Sequence, residues 1–182
     1  MKFLIILFAI TSTIIFDSCL KKGEDDPCIS LRSRKARVVG DWEVISYKYV
    51  RNLNLYALNI SNEIYTMDGS TYTSVYTDEN GTTTKNGTET WKWTFRKDGT
   101  FDYTCTIDGQ TKTSNGFWKF LGETKAESQI ICDENIETGC FINCRYNLKE
   151  LRNKKMIWTY EGSSSYMNDK ESMEVEIIFK AK

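Results

Sequence analysis

The chain is predicted to fold as an all-β domain of eight or nine short antiparallel strands, arranged as an up-and-down barrel or a sandwich. Three observations predict it. From Gly40 onward apolar and polar residues alternate with a period of two, not 3.6. Asp-Gly pairs at 68–69, 98–99 and 108–109 punctuate that alternation, and Asp-Gly between alternating runs signals a hairpin. Aromatic residues make up 13% of the chain against a single proline, the composition of a folded, strand-rich domain.

Taken in order, Asp41 to Arg51 reads as the opening strand. Arg51 to Asn62, with Leu53, Leu55, Tyr56 and Leu58, reads as a short helix or a mobile loop. Glu63 to Tyr76 is rich in Tyr, Thr and Val and forms a strand or two, with Asp68-Gly69 as a turn or bulge. Asn80 to Gly87 is expected to be an exposed loop. The clearest segment is the meander from Thr88 to Leu121. Trp91, Trp93 and Phe95 alternate with Lys92, Thr94 and Arg96, and the chain turns at Lys97-Asp98-Gly99. Phe101, Tyr103, Cys105 and Ile107 then alternate with polar residues, and Gln110 to Leu121 returns after Asp108-Gly109. Ser128 to Cys132 is a short strand. Arg145 to Leu151 and Lys155 to Glu161 form a hairpin across Arg152-Asn153-Lys154. In the closing strand, Ser172 to Lys180, Met173, Val175, Ile177 and Phe179 share one face. Closure into a barrel is favoured because it leaves no exposed strand edge.

The N-terminus has a different logic. Met1 and Lys2 precede an apolar stretch of about fourteen residues, Phe3 to Phe16, a length that suits a signal sequence and is short for a spanning helix. Phe16-Asp17-Ser18-Cys19 then reads as a degenerate lipobox, with cleavage before Cys19 and acylation of its thiol. This divides the chain into a signal peptide (1–18), a lipidated flexible tether (19–38) and a β-domain (39–182). The tether carries Glu24, Asp25 and Asp26, the only proline (Pro27), and then Arg32, Arg34, Lys35 and Arg37. Such a segment has too little apolar surface to order itself. The expected location is the outer membrane or cell surface, held by lipid, with a periplasm-facing leaflet as the other possibility.

Composition removes several function classes. With 24 basic and 25 acidic side chains the formal net charge is −1, which gives no footprint for nucleic acid. The chain has no histidine, so Ser-His-Asp and Cys-His catalysis are absent, and so is the commonest transition-metal ligand. Asp98, Asp108, Asp133 and Glu134 fall in expected turns, where carboxylates bond to local backbone. No cofactor, metal or catalytic group is expected. Besides Cys19 there are Cys28, Cys105, Cys132, Cys140 and Cys144. Export permits disulfides, and an odd set leaves at least one thiol outside any intramolecular pair. Two of Cys132, Cys140 and Cys144 are expected to bridge a loop. Cys105 is expected to be a small buried residue on a strand.

At Gly40-Asp41-Trp42 a Gly-x-Trp opens the first strand directly after the tether. With the lipobox, the acidic and then basic tether, Lys97-Asp98-Gly99-Thr100 and Gly116-Phe117-Trp118, the ordered set resembles the lipocalin-like domain lipoproteins of Gram-negative bacteria. The resemblance implies a calycin-type barrel, a tryptophan closing its base, and a capacity to bind small apolar molecules. Lipocalins set a late arginine over that tryptophan. Here the last strand ends Phe179-Lys180, so either Lys180 takes the role by cation–π contact or no residue does.

The large rings define the functional question. Trp91, Trp93, Tyr103, Trp118, Trp158 and Tyr160 are the candidate ligand-binding residues if the interior is open, with Phe95, Phe101 and Phe120 beside them. The same rings fill the core if it is closed. The leading expectation is a non-enzymatic carrier of a small apolar or amphipathic ligand. The alternative is a filled barrel acting through its surface as an accessory module of an envelope complex.

Overall fold

The computed structural model describes residues 33–55, 58–121, 129–134, 145–152, 154–166 and 169–182. The signal segment, the lipobox at Cys19, most of the tether, Cys28, Cys140 and Cys144 lie outside them, as do the side chains of Cys132, Asp133 and Glu134. The disulfide expectation therefore falls outside the described residues.

The described chain is all-β and antiparallel, apart from one short helix, α1 (Arg34–Val38). The strands are β1 (Gly40–Leu55), β2 (Leu58–Asp68), β3 (Thr71–Asp78), β4 (Gly81–Phe95), β5 (Thr100–Ile107), β6 (Gln110–Leu121), β7 (Gln129–Glu134), β8 (Arg145–Leu151), β9 (Lys155–Tyr166) and β10 (Asp169–Ala181). Each pairs with the next, and β10 returns to pair with β1, so the order is a meander whose pairings close on themselves. The alternation fixes two ends. The turns at 96–100 and 151–155 lie with α1 and the last residues at one end, the base, while the turn at 68–71 points the same way but ends level with Ile45. The turns at 78–81 and 107–110 lie at the other, the mouth.

Ten strand ranges stand where eight or nine were expected, and the strands depart from the expectation at three places. Arg51–Asn62 is neither helix nor mobile loop where it is described: β1 runs on to Leu55 and β2 begins at Leu58, because Asn52 and Leu53 continue the ladder to Asn62 and Ser61 while Asn54 pairs with Lys170 of β10. Glu63–Tyr76 divides into β2 and β3 at Gly69, whose φ of 61° is the left-handed conformation a glycine takes without strain. Asn80–Gly87 is no loop beyond its first residue: Gly81 to Gly87 extend β4 against β3, although most of those side chains are exposed. The polar composition there reports solvent on the outer face, not missing pairing.

The meander from Thr88 to Leu121 forms as its pattern requires. Arg96 N–H donates to Thr100 O (2.9 Å) around Lys97-Asp98-Gly99, with Gly99 at φ 90°. At the second turn both Asp108 (φ 49°) and Gly109 (φ 82°) are left-handed, the conformation a two-residue hairpin turn uses to match strand twist.

β1 has two different neighbours on one side. Gly40–Val44 pair with Trp91–Phe95 of β4, and Ser46–Leu55 pair with β2, whose hairpin with β3 stops short of the base. Between them a bulge at Ile45 shifts the register, so Trp42 and Val44 face inward before it and Tyr47 and Tyr49 after it.

The base is closed by residues expected in the tether. Arg34–Val38 is helical, Ser33 Oγ accepts from Ala36 N–H at its start, and Arg34, Arg37 and Val38 are buried. An Arg37 guanidinium N–H donates to Leu151 O, and Trp42 Nε1 donates to Val38 O (2.7 Å). Lys180 does not sit over Trp42. It is exposed, because its neighbour Phe179 takes the inward position and successive strand residues face opposite ways.

Trp42 is 2% exposed, so Trp42→Ala is expected to destabilise the domain by about 3–5 kcal/mol, and Lys48→Ala on the outer face by less than about 0.5 kcal/mol. Urea unfolding compares them. Equal midpoints would show that the indole does not close the base.

Candidate functional site

The inward faces sort the interior into two halves. Toward the base lies a dense aromatic cluster. Trp93 has ring neighbours Phe101 and Tyr103 (both 5.2 Å between centroids), Phe95 (5.5 Å), Trp158 (5.8 Å) and Phe179 (6.1 Å). Trp158 also packs on Phe179 at 4.6 Å and on Tyr146 at 5.2 Å. Trp118 sits edge-on to Phe95 and Phe120, and its Nε1 donates to Arg96 O (3.1 Å).

Of the six candidate ligand-binding residues, Trp93, Tyr103, Trp118 and Trp158 belong to this cluster and are buried against one another. Tyr160 is half-buried, edge-on to Tyr146. Trp91 is different. It lies one inward step nearer the mouth and joins a second, polar cluster.

That cluster is centred on Glu89, a carboxylate only 2% exposed. Its Oε1 accepts from Trp91 Nε1 (2.6 Å) and lies 3.8 Å from Cys105 Sγ; its Oε2 accepts from the Tyr65 hydroxyl. Tyr65 stacks on Tyr72 (5.3 Å) and meets Tyr47 edge-on (5.7 Å), and Tyr47 lies 5.1 Å from Trp91. Burial, reinforced by the bond to Glu89, raises the Tyr65 hydroxyl far above the ordinary phenol value, so it remains a donor. Cys105 is buried on β5 as expected, but it touches a carboxylate as well as hydrocarbon.

Nearer the mouth the inner face turns charged. Tyr72 donates to Asp108 Oδ2 (3.0 Å), Thr88 N–H to Asp108 Oδ1 (2.9 Å), and Lys85 Nζ stands 3.9 Å from the same carboxylate. The Thr88 N–H, then the Tyr72 hydroxyl and Lys85, hold the Asp108 carboxyl below its ordinary value. A hollow of about 370 Å³ opens here, lined by Lys85, Cys105, Ile107, Asp108, Gln110 and Lys112. A second, of about 510 Å³, lies across β1, β9 and β10 around Leu53, Ser164 and Glu171, where Arg51 Nε pairs with Glu171 Oε1 at 2.8 Å. Gly87 makes room between the clusters, since a Cβ there would overlap both the Tyr72 ring and the Asp108 carboxylate.

This arrangement offers flat aromatic faces below and hydrogen-bonding and charged groups above, the chemistry of a site for an amphipathic molecule. The sequence reading missed Glu89. The signal was present: Glu89, Trp91, Trp93 and Phe95 are two residues apart, so the alternation that turns the rings inward turns this carboxylate inward too.

Comparison with protein-family models, with curated proteins and with solved structures found no match.

Two outcomes follow. Glu89→Ala leaves the part-buried Tyr65 hydroxyl and the buried Trp91 N–H without their acceptor, so a loss of about 2–3 kcal/mol is expected in urea unfolding; an unchanged midpoint would remove Glu89 from the network. Asp98 is lowered like Asp108, first by the Thr100 N–H and then by its hydroxyl. Carboxyls depressed in the fold contribute stability that is complete above their ordinary value of 3.8 and lost as pH falls through the lower folded value. The Tm gap between wild type and Asp98→Asn/Asp108→Asn is therefore expected to be open at pH 7 and to narrow below about pH 4. A gap independent of pH would refute the assignment.

Proposed function

We propose that this chain is a lipid-anchored, extracytoplasmic lipoprotein whose closed ring of strands is a lipocalin-like barrel, and that it binds a small amphipathic ligand without catalysis. The anchor is Cys19, and the location is the outer membrane or cell surface. The ligand's apolar part rests on Ile107 and Cys105, above the buried Tyr72 and Trp91 rings, and its polar part meets Lys85, Lys112 and Gln110. Trp93, Tyr103, Trp118 and Trp158 support the floor without touching it. The observation that carries this reading is the division of the interior: rings packed on rings toward the base, and hollows lined by polar and charged groups toward the mouth.

The packing of the basal half favours a second reading, a filled barrel acting through its outer surface as an accessory module of an envelope complex. Native mass spectrometry of residues 20–182, purified from the native host, separates the two. A carrier is expected to show a reproducible mass excess that is lost on denaturation and absent from Gln110→Trp, which fills the hollow from its rim. A bare polypeptide mass, repeated after incubation with lipid extracts, would overturn the carrier and favour the filled barrel.

A further inference from the structure

The charged side chains are not spread evenly between the two ends. Lys97 lies in the β4–β5 turn, Lys154 in the β8–β9 turn, Lys119 near the end of β6, and Lys180 and Lys182 at the end of the chain; all five are exposed at or near the base. Lys35 joins them from α1, with its Nζ 5.9 Å from the Trp118 ring. The carboxylates described there are largely engaged. Glu150 is buried and held by Arg152 (2.6 Å) and Lys155 (2.9 Å), Asp102 is paired with Arg96, and Asp98 and Asp41 accept hydrogen bonds from Thr100 and Thr94. The mouth carries Glu63, Asp78, Glu79 and Glu171 with fewer lysines.

A second observation falls at the same end. Phe117 is 65% exposed, the most exposed of the large apolar side chains described, and it stands on the outer face of β6 two residues from Lys119. A solvent-facing ring beside lysines is the combination that lies at a membrane interface. The chain preceding α1 also reaches the domain here. From Cys19 to Ser33 an extended chain spans at most about 45–50 Å, so a lipid held at Cys19 tethers the domain through this end and within that reach of the bilayer.

We propose that the base is a docking surface for an anionic lipid bilayer: the lysines face the headgroups, Phe117 enters the interface, and the mouth points away from the membrane. The approach of the base rests in part on acylation of Cys19, so the test uses an unacylated chain, whose failure to bind is independent of whether Cys19 is modified. Anionic headgroups attract a basic surface within about one Debye length, and each lysine near the surface strengthens binding about fivefold.

The experiment is cosedimentation of residues 20–182, which retain every described element, with sucrose-loaded vesicles at 0.1 M salt. Vesicles of 70% phosphatidylcholine and 30% phosphatidylglycerol are compared with pure phosphatidylcholine. Binding is expected only to the anionic vesicles and is expected to disappear at 0.5 M salt. Lys97→Gln/Lys154→Gln/Lys182→Gln, all exposed, is expected to lower the partition coefficient about a hundredfold. Phe117→Ser should lower it about tenfold. Lys48→Gln/Lys92→Gln/Lys149→Gln, on the side wall, should leave it unchanged. Near-UV circular dichroism checks that each variant is folded. Equal binding to both vesicles, no binding by the folded chain, or equal loss in the side-wall variant would overturn the proposal. Binding to soluble dextran sulfate without binding to vesicles would overturn it in favour of a polyanionic glycan.

Discussion

The structure depends on β1. This strand pairs with β10 along nearly its whole length and, on its other side, with β4 near the base and β2 beyond it. The pairings close through β10 and β2, the pairing with β4 adds to them near the base, and the bulge at Ile45 falls where the neighbour changes. The extra residue turns the strand's inward parity over at the level where its neighbour changes. Trp42 and Val44 thus meet the basal cluster while Tyr47 and Tyr49 meet the cluster nearer the mouth. Without that slip one of the two sets would face water.

Closure converts a surface pattern into a volume problem. Every second residue must go inside, and the inside is filled by whatever those residues are. Toward the base they are rings, which fill space efficiently and carry few polar atoms. One step above Trp91 the inward residue is Glu89, and a buried carboxylate requires donors. Tyr65 and Trp91 supply them, and their geometry holds the tyrosine stack in place. The transition from apolar floor to charged mouth is therefore written into one strand, β4, read from Phe95 back to Lys85.

The two ends have opposite characters, which gives the domain a direction. α1 plugs the base and ties it to the preceding chain, while the hollows lie toward the mouth. A ligand site at the mouth and a basic, ring-bearing surface at the base do not compete for the same residues. Each can be altered without touching the other.

The sequence by itself determined the fold class, the central meander and its two Asp-Gly turns, and the inward set on β4, β5 and β10. Those features depend on local conformational preference and on a period of two, and both are legible one residue at a time. It misjudged Gly81–Gly87, because polar residues on an outer face look the same whether or not their backbone is paired. It assigned Arg34–Val38 to the tether, because a short basic stretch shows no sign of burial until there is a base to plug. Only the tertiary structure decided which rings pack on one another and which stand below a hollow. Trp91 and Trp93 are indistinguishable by alternation, and what separates them is Glu89 beside one and Trp158 beside the other. Those neighbours are set by closure of the ring, which brings together strands far apart in the chain and which no local pattern encodes.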